Sequence, residues 1–158
     1  MDMKLTNLLR QDAISVKLES GNKDDVLAEL VDLLIVSGGI KKSEKSQILK
    51  KLKEREELGS TGIGKGVGIP HAKSSSVKKM VAAFGVSKKG IDFRSLDGEP
   101  TYLFFLLIAP GQTPGPHLKA LAKISRLLDD KFVRERLRSA KTDTDVMNVL
   151  EKEGQKSA

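Results

Sequence analysis

Tyr102-Leu103-Phe104-Phe105-Leu106-Leu107-Ile108-Ala109 is the longest apolar run in the chain. It is far too short for a membrane helix, which needs about 20 residues. Side chains alternate across a strand, so an unbroken apolar run gives that strand two apolar faces. Such a strand belongs at the centre of a sheet with helices on both sides, which makes the expected class α/β.

Working downstream, Pro110-Gly111-Gln112-Thr113-Pro114-Gly115-Pro116 reads as a loop. His117 follows it in the first turn of an amphipathic helix to about Leu128. Leu118, Leu121, Ala122, Ile124 and Leu128 form the expected core side of that helix. Two further helices are expected at residues 131–139 and 143–151, then a frayed tail from Gly154.

Upstream, a strand is expected at residues 14–18. Asn22 is placed to cap a helix over residues 23–36, stopped by Gly38-Gly39. A second helix begins at Ser43 and runs to about Leu58, with Ile48, Leu49, Leu52 and Arg55 on one side. Shorter strands follow at 67–69, 80–87 and 91–93, with turns at Lys88-Lys89-Gly90 and Asp97-Gly98. The chain has 158 residues and shows no repeat or linker, so one domain is expected, with a core over residues 5–151 and a tail over 152–158.

Composition narrows the function. There is no cysteine, which removes disulfides and thiolate metal sites. The N-terminal residues lack the apolar core of a signal peptide, and a cytoplasmic protein is expected. The net charge is +7, but lysine pairs are interleaved with glutamates. With aromatics at 4% and no Trp, a base-stacking platform is not expected.

The chemistry-bearing segment is Gly59-Ser60-Thr61-Gly62-Ile63-Gly64-Lys65-Gly66-Val67-Gly68-Ile69-Pro70-His71-Ala72. Gly59 to Lys65 matches the start of a nucleotide-binding P-loop, but Gly66 stands where Ser or Thr would hold magnesium. A charged helix precedes the segment and an extended piece follows it, the reverse of a P-loop. What remains is a flexible loop whose amides can face an anion, followed by a histidine oriented by Pro70. An imidazole there can act as a nucleophile near neutral pH. His117, near a helix N-terminus, is placed to stay neutral and donate one N–H to a phosphoryl oxygen.

The run Arg55-Glu56-Glu57-Leu58-Gly59-Ser60-Thr61-Gly62-Ile63-Gly64, then Gly68-Ile69-Pro70-His71-Ala72, resembles the active-site signature of the fructose/mannitol/nitrogen-regulatory type of enzyme IIA of the bacterial phosphoenolpyruvate-dependent phosphotransferase system. Leu106 to Pro110 and His117 to Leu128 are similar to that family's second histidine region. The resemblance covers residues 5–151. It implies a mixed central sheet flanked by helices on both faces, a three-layer sandwich. It also implies that His71 carries the phosphoryl group on Nε2, with His117 and Arg55 beside it as stabilising groups. Amides of Ser60, Thr61, Gly62 and Gly64, and the Thr61 hydroxyl, are expected to line the phosphoryl site. A neighbour must hold Nδ1–H of His71, most simply a backbone carbonyl that the sequence does not name.

Gly68 replaces a frequent Ala, and Lys65 stands where mannitol-type members have Glu, which points away from that branch. The implied donor is HPr. The implied acceptor is a IIB component or, in the nitrogen-type branch, a set of regulated target proteins. The absence of an attached IIB or IIC in this sequence favours the regulatory branch. No cofactor, metal, nucleic acid or membrane insertion is expected. The other readings weighed are a binding module of the same fold without turnover and, from charge alone, a nucleic-acid-binding protein.

Overall fold

A computed structural model describes residues 4–112 and 114–156. The central strand is β6, Thr101–Pro110. Every side chain from Leu103 to Ala109 is at most 1% exposed. Phe104 and Phe105 are neighbours on it and so point to opposite faces. Phe105 meets Phe84 edge-on, with ring centroids 5.8 Å apart, and Phe104 meets Phe93 at 5.2 Å. Each pair adds about 0.5–1.5 kcal/mol beyond its area burial.

The other strands are β1 (Leu9–Ser15), β2 (Gly62–Gly64), β3 (Val67–Gly68), β4 (His71–Ser74) and β5 (Val81–Ile91). β5 runs antiparallel along one edge of β6, and β1 lies parallel outside it. Along the other edge lie β3 and then β4, both parallel to β6, with β2 antiparallel outside β3. The sheet is therefore mixed and open.

The helices are α1 (Leu5–Leu8), α2 (Lys23–Val36), α3 (Lys45–Glu57), α4 (Pro114–Asp129), α5 (Lys131–Arg138) and α6 (Asp143–Lys156). α2 and α3 pack on each other and against β1, β5 and β4. α4, α5 and α6 pack in succession against β6, β5 and β1.

α2 forms as expected: the Asn22 side chain accepts the Asp25 N–H at 2.9 Å, and Gly38 leaves the helix at φ +80°. Val26, Leu27, Leu30, Val31 and Leu34 are its buried stripe. A 3₁₀ turn at Lys42–Glu44 delays α3 to Lys45.

Four expectations are corrected. The first strand lies at Leu9–Ser15 rather than 14–18. Its exposed Arg10, Gln11 and Asp12 break the alternation, and a bulge separates Leu9 from Ile14 in the pairing. Lys88-Lys89-Gly90 is not a turn between strands but an irregularity within β5, where the Ser87 hydroxyl accepts the Gly90 N–H at 3.1 Å. Pro114 and Pro116 belong to the first turn of α4, where missing amide hydrogens cost nothing; Thr113 of the expected loop lies outside the described residues. α6 runs on to Lys156 rather than fraying after Glu151, and the last two residues of the expected tail lie outside the described residues.

Gly90 sits at φ +84°, and a Cβ there would lie 2.8 Å from Tyr102 Cε1. The Tyr102 ring is itself held under the Arg138 guanidinium, 3.7 Å from the ring centroid. Gly90→Ala is therefore expected to cost about 1–3 kcal/mol, read as a lower denaturant midpoint at unchanged slope. A midpoint equal to that of the parent would mean that this corner of β5 relaxes freely.

Candidate functional site

The site lies at the C-terminal end of β6, where the chain passes to α4. Leu103 and Leu107 of β6 give their amides to the carbonyls of Gly66 and Pro70. Carbonyls alternate in direction along a strand, so Ile69, one residue before Pro70, faces away from β6. Its N–H goes to the Thr61 carbonyl at 3.0 Å. β2 stops short of the Ile69 carbonyl, and that oxygen lies 2.7 Å from His71 Nδ1. A carbonyl only accepts, so Nδ1 carries the proton and Nε2 carries the lone pair. This is the backbone holder that the sequence left unnamed.

His71 begins β4 opposite Leu107 and is half-buried. The His117 ring stands edge-on to it, with centroids 5.6 Å apart and planes at 70°. His117 is 5% exposed, and its Nε2 is buried with no hydrogen-bond partner. The core stripe of α4 is His117, Ala120, Ile124, Leu127 and Leu128. This corrects the expected stripe: Leu118 is 65% exposed and Ala122 is also outside. The rotation turns the polar ring inward at the helix start and leaves a leucine on the surface beside it.

Both imidazoles are biased toward neutrality. Burial lowers the pKa of His71, opposed by the Ile69 carbonyl; the Arg55 charge lowers it further and the Glu56 charge opposes that. Burial, then the charge on His71 and that on Lys73, bring His117 from 6.5 to about 4.

These shifts fix a pH window for stability. Between pH 6.5 and about 4, the unfolded chain binds a proton at residue 117 that the folded chain does not. Stability is full above 6.5 and falls as the pH drops toward 4, by up to about 3 kcal/mol from this group. Urea unfolding of the protein and of His117→Asn at pH 7 and 4.5 should show a smaller pH loss in the variant. Equal losses would remove His117 from the account.

Arg55, in the last turn of α3, donates from Nη1 to the Gly59 carbonyl at 2.8 Å. In the loop after it, the expected phosphoryl-binding segment, two amides and two hydroxyls already have partners within the protein. The Ser60 hydroxyl donates to the Phe93 carbonyl at 2.8 Å and accepts the Gly62 N–H at 3.0 Å. Thr61 gives its N–H to Glu56 Oε1 at 3.1 Å and its hydroxyl to Glu56 Oε2. Gly64 packs against Asp97 at φ +98°, in the hairpin between β2 and β3. The Ser60 and Thr61 hydroxyls and the Thr61 and Gly62 amides are thus engaged within the protein, and the Thr61 carbonyl supports the Ile69 backbone.

Three contributors were missed: Glu56, Lys23 and Lys73. Glu56 stands inside the quoted signature but was given no role there; its side chain is 6% exposed. Lys23 opens α2 and gives no local signal. Lys73 follows His71 by two residues on a strand and so shares its face, a periodicity cue that was available.

A family model described as the phosphoenolpyruvate-dependent sugar phosphotransferase system, EIIA 2, matches residues 7–153. The chain belongs to this family.

This EIIA protein is 36% identical over 148 residues to a nitrogen regulatory protein of Bradyrhizobium diazoefficiens, covering 94% of the chain and 95% of that protein. It is 37% identical over 148 residues to the fructose-specific EIIABC component of Bacillus subtilis, covering 94% of the chain but only 23% of that longer protein. The crystal structure of nitrogen regulatory protein IIA-Ntr from Neisseria meningitidis superposes with a TM-score of 0.85 at 31% identity, covering 92% of the chain and 98% of that structure. The mixed sheet flanked by helices is thus the family fold. Among the described residues, no helix is long and apolar enough to cross a membrane.

Proposed function

We propose that this EIIA protein is a histidine phosphocarrier that takes a phosphoryl group from the phosphohistidine of an HPr-type protein onto His71 Nε2. The observation that carries the reading is the 2.7 Å contact between His71 Nδ1 and the Ile69 carbonyl, which leaves Nε2 as the nucleophile. The His117 Nε2, buried and unpartnered, is a donor waiting for an acceptor such as a phosphoryl oxygen. Arg55, and Lys73 on the same strand face as His71, add positive charge around it.

In the step, the Nε2 lone pair forms a bond to phosphorus as the P–N bond to the donor ring breaks. The donor ring reacts as the phosphoimidazolium, protonated on its other nitrogen, and so leaves as a neutral imidazole. His71 becomes a phosphoimidazolium whose Nδ1–H stays on the Ile69 carbonyl. No proton has to move, and the work is alignment and charge stabilisation.

Leu118 and Leu58, 65% and 85% exposed, flank His117 and the Arg55–Gly59 contact. They form the apolar part of a docking face for the donor, with a polar rim. The same face serves the next partner. The nitrogen-regulatory reading, in which phosphorylation sets which target proteins bind, rests on similarity along nearly the whole of the Bradyrhizobium protein. The second reading, transfer to a IIB component for sugar uptake, rests on the Bacillus EIIABC relative. Both place the protein in the cytoplasm with the carrier proteins.

The test is intact mass after incubation with phosphoenolpyruvate, enzyme I and HPr, with peptide mapping at alkaline pH. One acid-labile phosphoryl group on His71 is expected. No added mass, with folded protein and active donor, would leave a binding module of the same fold.

A further inference from the structure

Glu56 is nearly enclosed and takes three donors. Its Oε1 accepts the Thr61 N–H at 3.1 Å and lies 2.8 Å from Lys23 Nζ; its Oε2 accepts the Thr61 hydroxyl. Lys23 is fixed in turn by the Phe93 carbonyl at 3.3 Å and lies over the Phe93 ring, 4.6 Å from its centroid. Phe93 is fully buried, so this anchor is part of the core.

The held segment leads straight to the nucleophile. Thr61 accepts the Ile69 N–H at 3.0 Å, and Ile69 accepts Nδ1–H of His71 at 2.7 Å. Pro70 has no N–H to give to β6, so the ladder cannot hold this stretch by donation from Pro70. The Thr61 carbonyl holds the N–H side of Ile69, and the Leu107 N–H on the Pro70 carbonyl holds the other side. Adjacent on the same helical turn, Arg55 binds the Gly59 carbonyl. The last turn of α3 therefore grips the loop at two points, once for each partner of the phosphoryl site.

We propose that Glu56 is a positioning residue for His71: its carboxylate pins Thr61, Thr61 pins the Ile69 backbone, and the Ile69 carbonyl fixes the imidazole as the Nδ1–H tautomer with Nε2 free. The inference rests on the phosphocarrier reading for its purpose, but not for its geometry. An ion pair that only stapled α2 to α3 would need no link to Thr61. Small displacements of a nucleophile are enough to cost about 100-fold in rate.

The test uses two variants of the full chain and two readouts. Lys23→Met with Glu56→Leu replaces the buried pair by apolar side chains of similar size, an exchange that folded proteins often tolerate. Glu56→Gln keeps an acceptor oxygen for the Thr61 N–H. The first readout is the His71 tautomer, from long-range ¹H–¹⁵N imidazole spectra at a pH where the ring is neutral. The second is the single-turnover rate of transfer from phospho-HPr.

The double variant is expected to show a mixture of tautomers and a rate lower by about 10- to 100-fold. Glu56→Gln is expected to keep the Nδ1–H tautomer and most of the rate. A folded double variant with a pure Nδ1–H ring overturns the proposal, whatever its rate. A Gln variant as mixed as the double variant overturns it too. The tautomer is read without phosphate, so a parent protein that takes no phosphoryl group ends the carrier reading while Glu56 is still judged.

Discussion

Replacing His71 by alanine is expected to abolish phosphoryl transfer completely, leaving a folded protein that gains no mass from phospho-HPr. Among the described residues, the groups beside His71 that could substitute are buried or engaged. His117, the only other histidine, holds its Nε2 buried without access to solvent. Serine and threonine hydroxyls nearby are engaged: Ser60 with the Phe93 carbonyl and Thr61 with Glu56. Stoichiometric labelling of the alanine variant would sink the assignment of His71. The measurement is intact mass with donor in excess, so that a slow secondary site would also be seen.

The second large effect is at His117. Alanine there should slow transfer about 10- to 1000-fold, the range for one donor aimed at developing charge. In the proposed role the ring needs no rearrangement: His117 Nε2 is buried without a hydrogen-bond partner, and the ring stands edge-on to that of His71. Because burial holds its pKa at about 4, the ring stays neutral across the working pH range and carries no cation to repel Arg55 or Lys73. Rapid-quench transfer from phospho-HPr measures the rate. Glutamine, which can still donate an N–H, should recover part of it. An alanine variant with the parent rate would make His117 a packing residue of the α4 stripe.

The central strand, α2 and the two histidines were legible in the sequence because each rests on a local signal. The apolar run can only be a strand covered on both faces, and Asn22 with its periodic leucines can only begin a helix. The pairing of β3 and β4 along one edge of β6 was not legible, since each is only two to four residues long. The α4 stripe was misplaced by about one residue because Leu118 outranks His117 on any hydrophobicity count. Burial of that histidine is decided by the partner it faces, not by its own side chain. The loop from Ser60 to Gly64 was read as an anion cradle because glycine signals backbone freedom without saying which groups use it. Two of its amides, those of Thr61 and Gly62, are held by the side chains of Glu56 and Ser60, the first of them five residues away on a helix.

The short β2 strand has a further consequence. A backbone oxygen at an open sheet margin ordinarily invites a strand from another molecule. Here the ring of His71 covers it, so the proposed nucleophile also acts as a plug. Taking the ring away uncovers an acceptor on a residue that is only 5% exposed, a loss worth about 1 kcal/mol. A phosphorylation-dead form made by trimming His71 is therefore not a silent control: it carries a raw margin beside its docking face. Glutamine at that position, whose amide reaches toward the same oxygen, is the cleaner way to switch the carrier off in studies of what it binds.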